Sequence, residues 1–329
     1  MTIEYYCGLD IHKDKYFGCL LNKDGTEIRV GAFKPTFEEL QQYFSGIGNT
    51  QCIVIIENCT GWMYAYKLIS KLGMKTKLAD SNATKKLVGK KKTDYYDAKA
   101  LADLARSNLL PELYIPNDKI LEYRDLTHHL KGLREHKTKL KNQIKSELQK
   151  NGIKYTGENL WTIKGFAWLK LLKNPVIDSY IIIHNSIEIQ DKKVFAEIEK
   201  ISKKLKQTQL LMTIVGVGPY LALIIYSEIA DITRFKSIKS LNMYTGLCPG
   251  VYQTGNTKFD VKNNKCNHFL KWALHMASGR AMMVKTSNIF KKRYKFYLKK
   301  GMGTARRIIA RDMLHIIWHM LNKNEEFIP

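Results

Sequence analysis

The chain has 329 residues, with 54 Lys and Arg against 30 Asp and Glu, giving a formal charge of +24. That excess is far beyond what solubility requires and points to a polyanionic partner. With 45% hydrophobic and 11% aromatic residues, it is not a disordered basic tail, since such chains lack the apolar surface to offset ordering entropy. The length suits two domains with a connecting element and a core that needs no disulfide or metal staple. The six cysteines form neither a C-x-x-C pair nor a zinc-spaced cluster with histidine, the pattern of reduced thiols in a cytoplasmic protein. Met1 to Asp10 lacks the basic-then-apolar pattern of an export signal.

The first hundred residues alternate between strand and helix patterns. Strands are expected at Tyr5 to Leu9, Tyr16 to Leu21 and Glu27 to Phe33, the last two separated by Asn22-Lys23-Asp24-Gly25, a hairpin signal. A helix over Thr36 to Phe44 follows, then Cys52 to Ile56, an unbroken apolar run typical of a fully buried strand. A helix over Trp62 to Leu72, a short strand over Thr76 to Ala79 and a helix beginning near Asp94 complete a β-β-β-α-β-α-β-α order, the ribonuclease-H-like one. From Asp118 a long polar helix carries Tyr123, Leu126, Leu130, Leu133, Leu140, Ile144 and Leu148 at intervals of three and four, interrupted at Lys137, which is a heptad seam. Gly152, Gly157, Gly165 and Pro175 then mark turns. A second seam, Val194, Ile198, Ile201 and Leu205, is suited to antiparallel pairing with the first, within the chain or across a dimer; ordinary amphipathic helices on a core are the alternative. Leu210 to Ser227 is uncharged and apolar enough to suggest a membrane span, but Gly216-Val217-Gly218-Pro219 breaks it into helix, tight turn and helix. That unit is similar to a helix-hairpin-helix, whose glycines let backbone amides approach a phosphate; a plain helical turn is the alternative.

Four carboxylates carry the chemistry. Asp10 ends the first strand and Glu57 the buried one, positions that neighbouring strands of one sheet bring together. Asp94 and Asp97 lie three apart near a helix start and share a face. Singly, each has an ordinary reading as a turn former or cap; Asp14, Asp80 and Asp103 are weaker candidates of the same kind. Converging carboxylates repel unless cations intervene, and hard oxygen ligands suit Mg²⁺ or Mn²⁺. Two such ions about 4 Å apart activate an attacking oxygen and stabilise a leaving one at a phosphodiester, the chemistry of nucleases and strand transfer.

Three stretches of the first half, Gly8-Leu9-Asp10-Ile11-His12-Lys13, Glu57 with Gly61-Trp62, and Lys92-Thr93-Asp94-Tyr95-Tyr96-Asp97-Ala98, resemble the RuvC-like half of the DEDD transposases of the insertion sequence 110/1111 family, to which the Piv-type invertases also belong. In the second half Ile214 to Pro219, Glu228 to Ile232 with Arg234-Phe235, and Tyr244 to Gly250 resemble that family's second transposase domain. The resemblance implies an α/β RNase H-like (RuvC-like) catalytic domain over 1–115, a coiled-coil helical domain over 116–208, and a mostly helical C-terminal transposase domain with a helix-hairpin-helix over 209–329. It further implies a recombinase acting on donor and target DNA, as a homodimer or tetramer, guided by a structured non-coding bridge RNA, with Asp10, Glu57, Asp94 and Asp97 holding the metal. The family's nucleophilic serine precedes a glycine after a short polar stretch; here Thr254-Gly255 stands in that place. Thr254 is therefore the candidate nucleophile, its hydroxyl more crowded at Cβ than a serine's, with Lys258 a basic neighbour. Ser278, on a packed helix pattern, and Ser287 are the other candidate hydroxyls.

Basic runs provide candidate nucleic-acid contacts: Lys90, Lys91 and Lys92 just before Asp94, Gly216 and Gly218 in the turn, Lys258, and Lys291, Lys292 and Arg293 interleaved with Tyr294, Phe296 and Tyr297, which suit base stacking or a helix core face. No membrane association is expected. The competing functions are a metal-dependent junction nuclease without a covalent intermediate, and a non-enzymatic nucleic-acid-binding relative.

Overall fold

A computed structural model describes residues 2–87, 93–248, 250–254, 257–261 and 266–328, with the backbone alone for 250–254 and 257–261. The chain divides into two compact units, Met1–Ile115 and Pro116–Pro329.

The first unit is a mixed α/β sheet flanked by helices. Strands β1 (Tyr5–Ile11), β2 (Tyr16–Asn22) and β3 (Glu27–Phe33) are followed by α1 (Phe37–Tyr43), β4 (Cys52–Glu57), α2 (Trp62–Lys71), β5 (Lys75–Ala79), α3 (Ser81–Leu87), α4 (Asp94–Arg106) and β6 (Glu112–Leu113). The sheet order is β3-β2-β1-β4-β5-β6. β1 is antiparallel to β2, and β2 to β3, while β1, β4 and β5 run parallel. β4 is central and buried on both faces, which is why its sequence is continuously apolar. One face packs Leu9, Val54 and Ile56 beneath α1 and α2; the other packs Ile53 and Ile55 against Leu101 and Ala105 of α4.

The expected elements are present, with small shifts. Asp10 lies inside β1, one residue before its end. Two elements have no sequence signal strong enough to place them. α3 starts because Asp80 accepts the Asn82 and Ala83 amides on Oδ1, so this aspartate is a helix cap. β6 is only two residues long and exists by pairing with β5.

The second unit is mostly helical. Its elements are α5 (Asp118–Lys150), α6 (Ile163–Leu171), α7 (Pro175–Lys204), α8 (Lys206–Met212), α9 (Pro219–Ile229), α10 (Ile238–Thr245), the hairpin strands β7 (Gly250–Thr254) and β8 (Thr257–Val261), α11 (His268–Met283), α12 (Ile289–Tyr297) and α13 (Met302–Lys323). α5 and α7 pack antiparallel. Ile144 and Leu148 share a cluster with Ile177 and Ile181, whereas earlier on α5 Leu130 joins Ile198. Between these clusters Lys137 reaches Asp191 and Glu188, each at 2.7 Å. Thus the Lys137 interruption of the seam is an ion-pair position. α7 begins earlier than its seam suggests, because Asn174 caps it and Pro175, expected to mark a turn, occupies the first helical position. α9 is apolar all round because it is the central helix of this unit, with nine of its eleven residues buried. Among the described residues no helix is long and apolar enough to cross a membrane.

Candidate metal centre and nucleic-acid surfaces

The acidic site is assembled by a glycine. A Cβ at Gly8 would stand 1.9 Å from the Ala98 carbonyl oxygen and 2.9 Å from the Ala102 amide nitrogen. Only a bare Cα lets α4 lie this close on β1. Thr93 caps α4 through the Tyr96 amide, which sets the start of the helix so that Asp94 and Asp97 occupy its first turn. The consequence is a cluster of Asp10, His12 and Asp94, whose ligand atoms lie within 4.8 Å of one another. His12 Nε2 is 3.1 Å from Asp10 Oδ2 and 3.4 Å from Asp94 Oδ1. Lys15 Nζ is 2.6 Å from Asp94 Oδ2.

Asp97 and Glu57 lie within electrostatic reach. Burial, then the charges of Asp94 and Asp97, push the Asp10 carboxyl above its ordinary range, against the opposing pull of His12. Burial likewise raises Glu57, with Asp10, Asp97 and Asp80 adding to it and Lys85 opposing. Asp94 is held low, chiefly by its hydrogen bond to Lys15. Two half-buried carboxylates, Asp10 and Glu57, raised first by burial and then by neighbouring acids, are donors suited to a hard divalent cation. Asp10 and Asp94, with Glu57 and Asp97 beside them, are the residues that fit it. His12 and Lys15 carry no sequence signal as site residues beyond the Asp10-x-His12 spacing, which puts two polar side chains on one side of an extended segment.

The remaining candidates are distributed as follows. Lys90, Lys91 and Lys92 lie outside the described residues. Thr254 is the last residue of β7, opposite Thr257 of β8; its side chain and that of Lys258 lie outside what is described. The hairpin itself is not among the expected elements, although Gly255-Asn256 between two strand-prone runs is a hairpin signal. Gly216 has φ +96°, and a Cβ there would meet the Ala277 carbonyl oxygen at 2.5 Å; its bareness serves packing on α11. Around Gly218 a Cβ would meet nothing within 4 Å, and a depression of about 400 Å³ is lined by Gly216, Gly218 and Arg280. Ser278 is buried and donates to the His275 carbonyl. Ser287 is exposed. On α12, Lys291 donates to the Val284 carbonyl and Arg293 pairs with Asp312 at 2.8 Å, while Lys292 and Phe296 are exposed and Tyr294 packs on the core.

Two family models match this chain, and both describe transposases. Residues 7–151 match that of the IS110-type DEDD transposases, and residues 208–295 match that described as the transposase IS116/IS110/IS902 family. The chain is 26% identical over 339 aligned positions to the transposase for insertion sequence element IS1111A of Coxiella burnetii, covering 97% of the chain and 90% of that relative. It is 25% identical to the transposase for insertion sequence element IS1328 of Yersinia enterocolitica, covering 75% of each. These matches define the class as a DNA transposase. The chain belongs to the IS110 family of DEDD transposases.

Proposed function

We infer that this transposase is a recombinase that cleaves and rejoins DNA strands at the acidic site of residues 1–115. The observation that carries the reading is the clustering of Asp10 with Asp94, with Glu57 and Asp97 alongside, on an otherwise cationic protein. The strand order β3-β2-β1-β4-β5 favours an RNase H-like, RuvC-like catalytic domain. The four carboxylates hold Mg²⁺ or Mn²⁺, two ions in the working enzyme. When bound, such ions polarise a phosphodiester and stabilise the leaving oxygen. His12 pairs with Asp10 and Asp94, and Lys15 with Asp94, through the same carboxylate groups that would hold the cation.

On the same reading residues 116–208 form a coiled-coil helical domain and 209–329 the C-terminal transposase domain. Thr254 supplies the hydroxyl that attacks the phosphodiester, and the bond to the leaving 3′ oxygen or 5′ oxygen breaks as the Thr254–phosphate ester forms. The turn at Gly216 to Pro219 works as a helix-hairpin-helix that holds DNA backbone, with Gly218 and Arg280 facing the phosphates. Lys90, Lys91, Lys92, Lys258, Lys291, Lys292 and Arg293 hold further phosphates. A structured non-coding bridge RNA selects donor and target DNA, and the enzyme works as a homodimer or tetramer.

The test is trapping of a protein–DNA adduct with Mn²⁺ and element-end DNA. The wild type should form it, Asp10→Asn and Thr254→Ala should not, and Thr254→Ser should. Cleavage that persists in Thr254→Ala without an adduct would instead assign hydrolysis, as in a junction nuclease.

A further inference from the structure

A cleft of about 660 Å³ opens between α5, α6 and α7 in the second unit, lined by Lys141, Trp161, Phe166, Lys170, His184 and Glu188 among others. That is within the size range of sites that enclose a small ligand group. At its wall His184 is 5% exposed, and neither ring nitrogen has an aligned hydrogen-bond partner, the adjacent Asn185 side chain coming near enough to serve at most one of them. Buried polar groups are almost always satisfied, so the second ring nitrogen calls for an external partner. Burial holds the imidazole below the ordinary histidine range, against the opposing side-chain hydrogen bond of Asn185. A neutral ring presents one donor and one acceptor nitrogen.

The rest of the lining narrows what can satisfy it. Trp161 and Phe166 present aromatic rings 6.1 Å apart, and Phe166 lies 5.0 Å from the His184 ring. Lys141 is poised over Trp161 at 5.2 Å. Neither Lys141 nor Lys170 forms an ion pair among the described residues, whereas Glu188 is neutralised by Lys137 at 2.7 Å. A simple anion would satisfy the ammonium groups but not the acceptor nitrogen or the rings. An apolar side chain from another protein would leave the second nitrogen of His184 unpaired. A base pair in a duplex has its Watson–Crick edge engaged and its faces stacked on its neighbours, so it cannot stack on the Trp161–Phe166 wall.

We propose that this cleft holds one unpaired nucleobase of a single-stranded nucleic acid, stacked on the Trp161–Phe166 wall, with its edge on His184 and its phosphates on Lys141 and Lys170. The site requires only that the protein handles nucleic acid; it does not depend on the acidic site or on Thr254. Displaced DNA and unpaired RNA offer the same chemistry.

The experiment uses the full-length protein with a twelve-nucleotide single strand carrying one 5-iodouracil, as DNA and as RNA, and the matching DNA duplex. Irradiation should cross-link the single strand to the peptide spanning 161–170. Lys141→Gln combined with Lys170→Gln should lower the dependence of log Kd on log salt by about 1.4, at about 0.7 per phosphate contact in single strands. His184→Phe, which fills the cleft without polar atoms, should weaken single-strand binding about tenfold, the scale of one lost stacked base, and leave duplex binding unchanged. Preference for the DNA or the RNA strand identifies the source, and equal binding assigns both. Cross-links confined to other peptides, or an unchanged salt slope in the double lysine variant, would overturn the proposal. So would a His184→Phe variant that changes only the oligomeric state, which would assign the cleft to a second copy of the chain. Should His184→Phe fail to fold, the two rim lysines decide alone. None of these readouts requires strand cleavage, so they stand apart from the test of the catalytic reading.

Discussion

Asn267 Nδ2 donates to the Glu228 carboxylate at 2.6 Å, joining residues 39 apart in sequence. The same Asn267 amide donates to the Tyr244 hydroxyl at 2.9 Å, and its backbone N–H donates to the Tyr244 carbonyl. Tyr244 and Asn267 are the two stems of the segment that carries β7, Thr254 and β8. Glu228, buried at the end of α9, also accepts from His128 at 2.7 Å and lies 3.7 Å from Arg124. The carboxylate thus ties α5, α9 and both stems of the hairpin segment into one network.

Glu228→Ala should be among the most destabilising single changes in the second unit. It leaves His128, Arg124 and Asn267 facing a buried space without their acceptor, and breaking a buried charged pair costs about 3–5 kcal/mol. Urea unfolding gives the loss directly. Backbone amide exchange should rise first at Leu247, Cys248 and Cys266, which adjoin the two stems.

The same carboxylate sets a pH dependence. Burial raises the Glu228 carboxyl, but the hydrogen bonds from His128 and Asn267 and the Arg124 charge outweigh it, so its folded pKa lies below the ordinary value. In the unfolded chain a glutamate titrates near about 4.3. The stabilisation is therefore complete above that value and is lost as pH falls through the folded pKa. Glu228→Gln should flatten the acid limb of the stability-against-pH curve, and an unchanged limb would show that other carboxylates dominate it.

Gly8→Ala should damage the acidic site without touching any of its side chains. The methyl would stand 1.9 Å from the Ala98 carbonyl oxygen, so α4 must move away from β1, at about 1–3 kcal/mol for an overpacked core. Since Asp94 and Asp97 ride on α4, Mn²⁺ binding by the folded protein should weaken. Calorimetric titration of Mn²⁺ into the folded variant measures this.

Lys15→Met should strengthen metal binding. Lys15 Nζ sits 2.6 Å from Asp94 Oδ2 and competes for that oxygen. Its removal should raise the Asp94 carboxyl and tighten Mn²⁺ binding about tenfold, the scale of one nearby charge at a partly exposed site. Asp94→Asn should weaken it. Equal affinities for wild type and Lys15→Met would place the cation away from Asp94.

Asp191→Ala should loosen the pairing of α5 and α7. Asp191 is 6% exposed and pairs with Arg134 at 3.2 Å and Lys137 at 2.7 Å. Its loss leaves Arg134 without a carboxylate and Lys137 with Glu188 alone, at about 3 kcal/mol, the lower end for breaking a buried pair. Chemical denaturation and a fall in helix content on mild heating report it.

Local pattern is enough for most of the first unit. The continuous apolar run of β4, the Asp-Gly turn between β2 and β3, and the Thr93 cap each act over a few residues, so their outcome can be read from neighbours in the chain. The grouping of Asp10 and Glu57 is foreseeable for a similar reason, since strand ends in one parallel sheet lie together. The charge excess points to a polyanion from composition alone. Other features depend on partners far away in sequence. Gly8 reads as an ordinary strand glycine until Ala98 is laid against it. His12 and Lys15 become site residues only because α4 brings Asp94 to them. Pro175 reads as a turn marker, and the Asn174 cap with the packing of α7 against α5 makes it a helix start instead. His184 looks like any helical histidine in sequence; its burial without an aligned partner exists because α6 folds over α7. Hydrogen-bond satisfaction and close packing are properties of the assembled neighbourhood, and a one-dimensional pattern does not contain them.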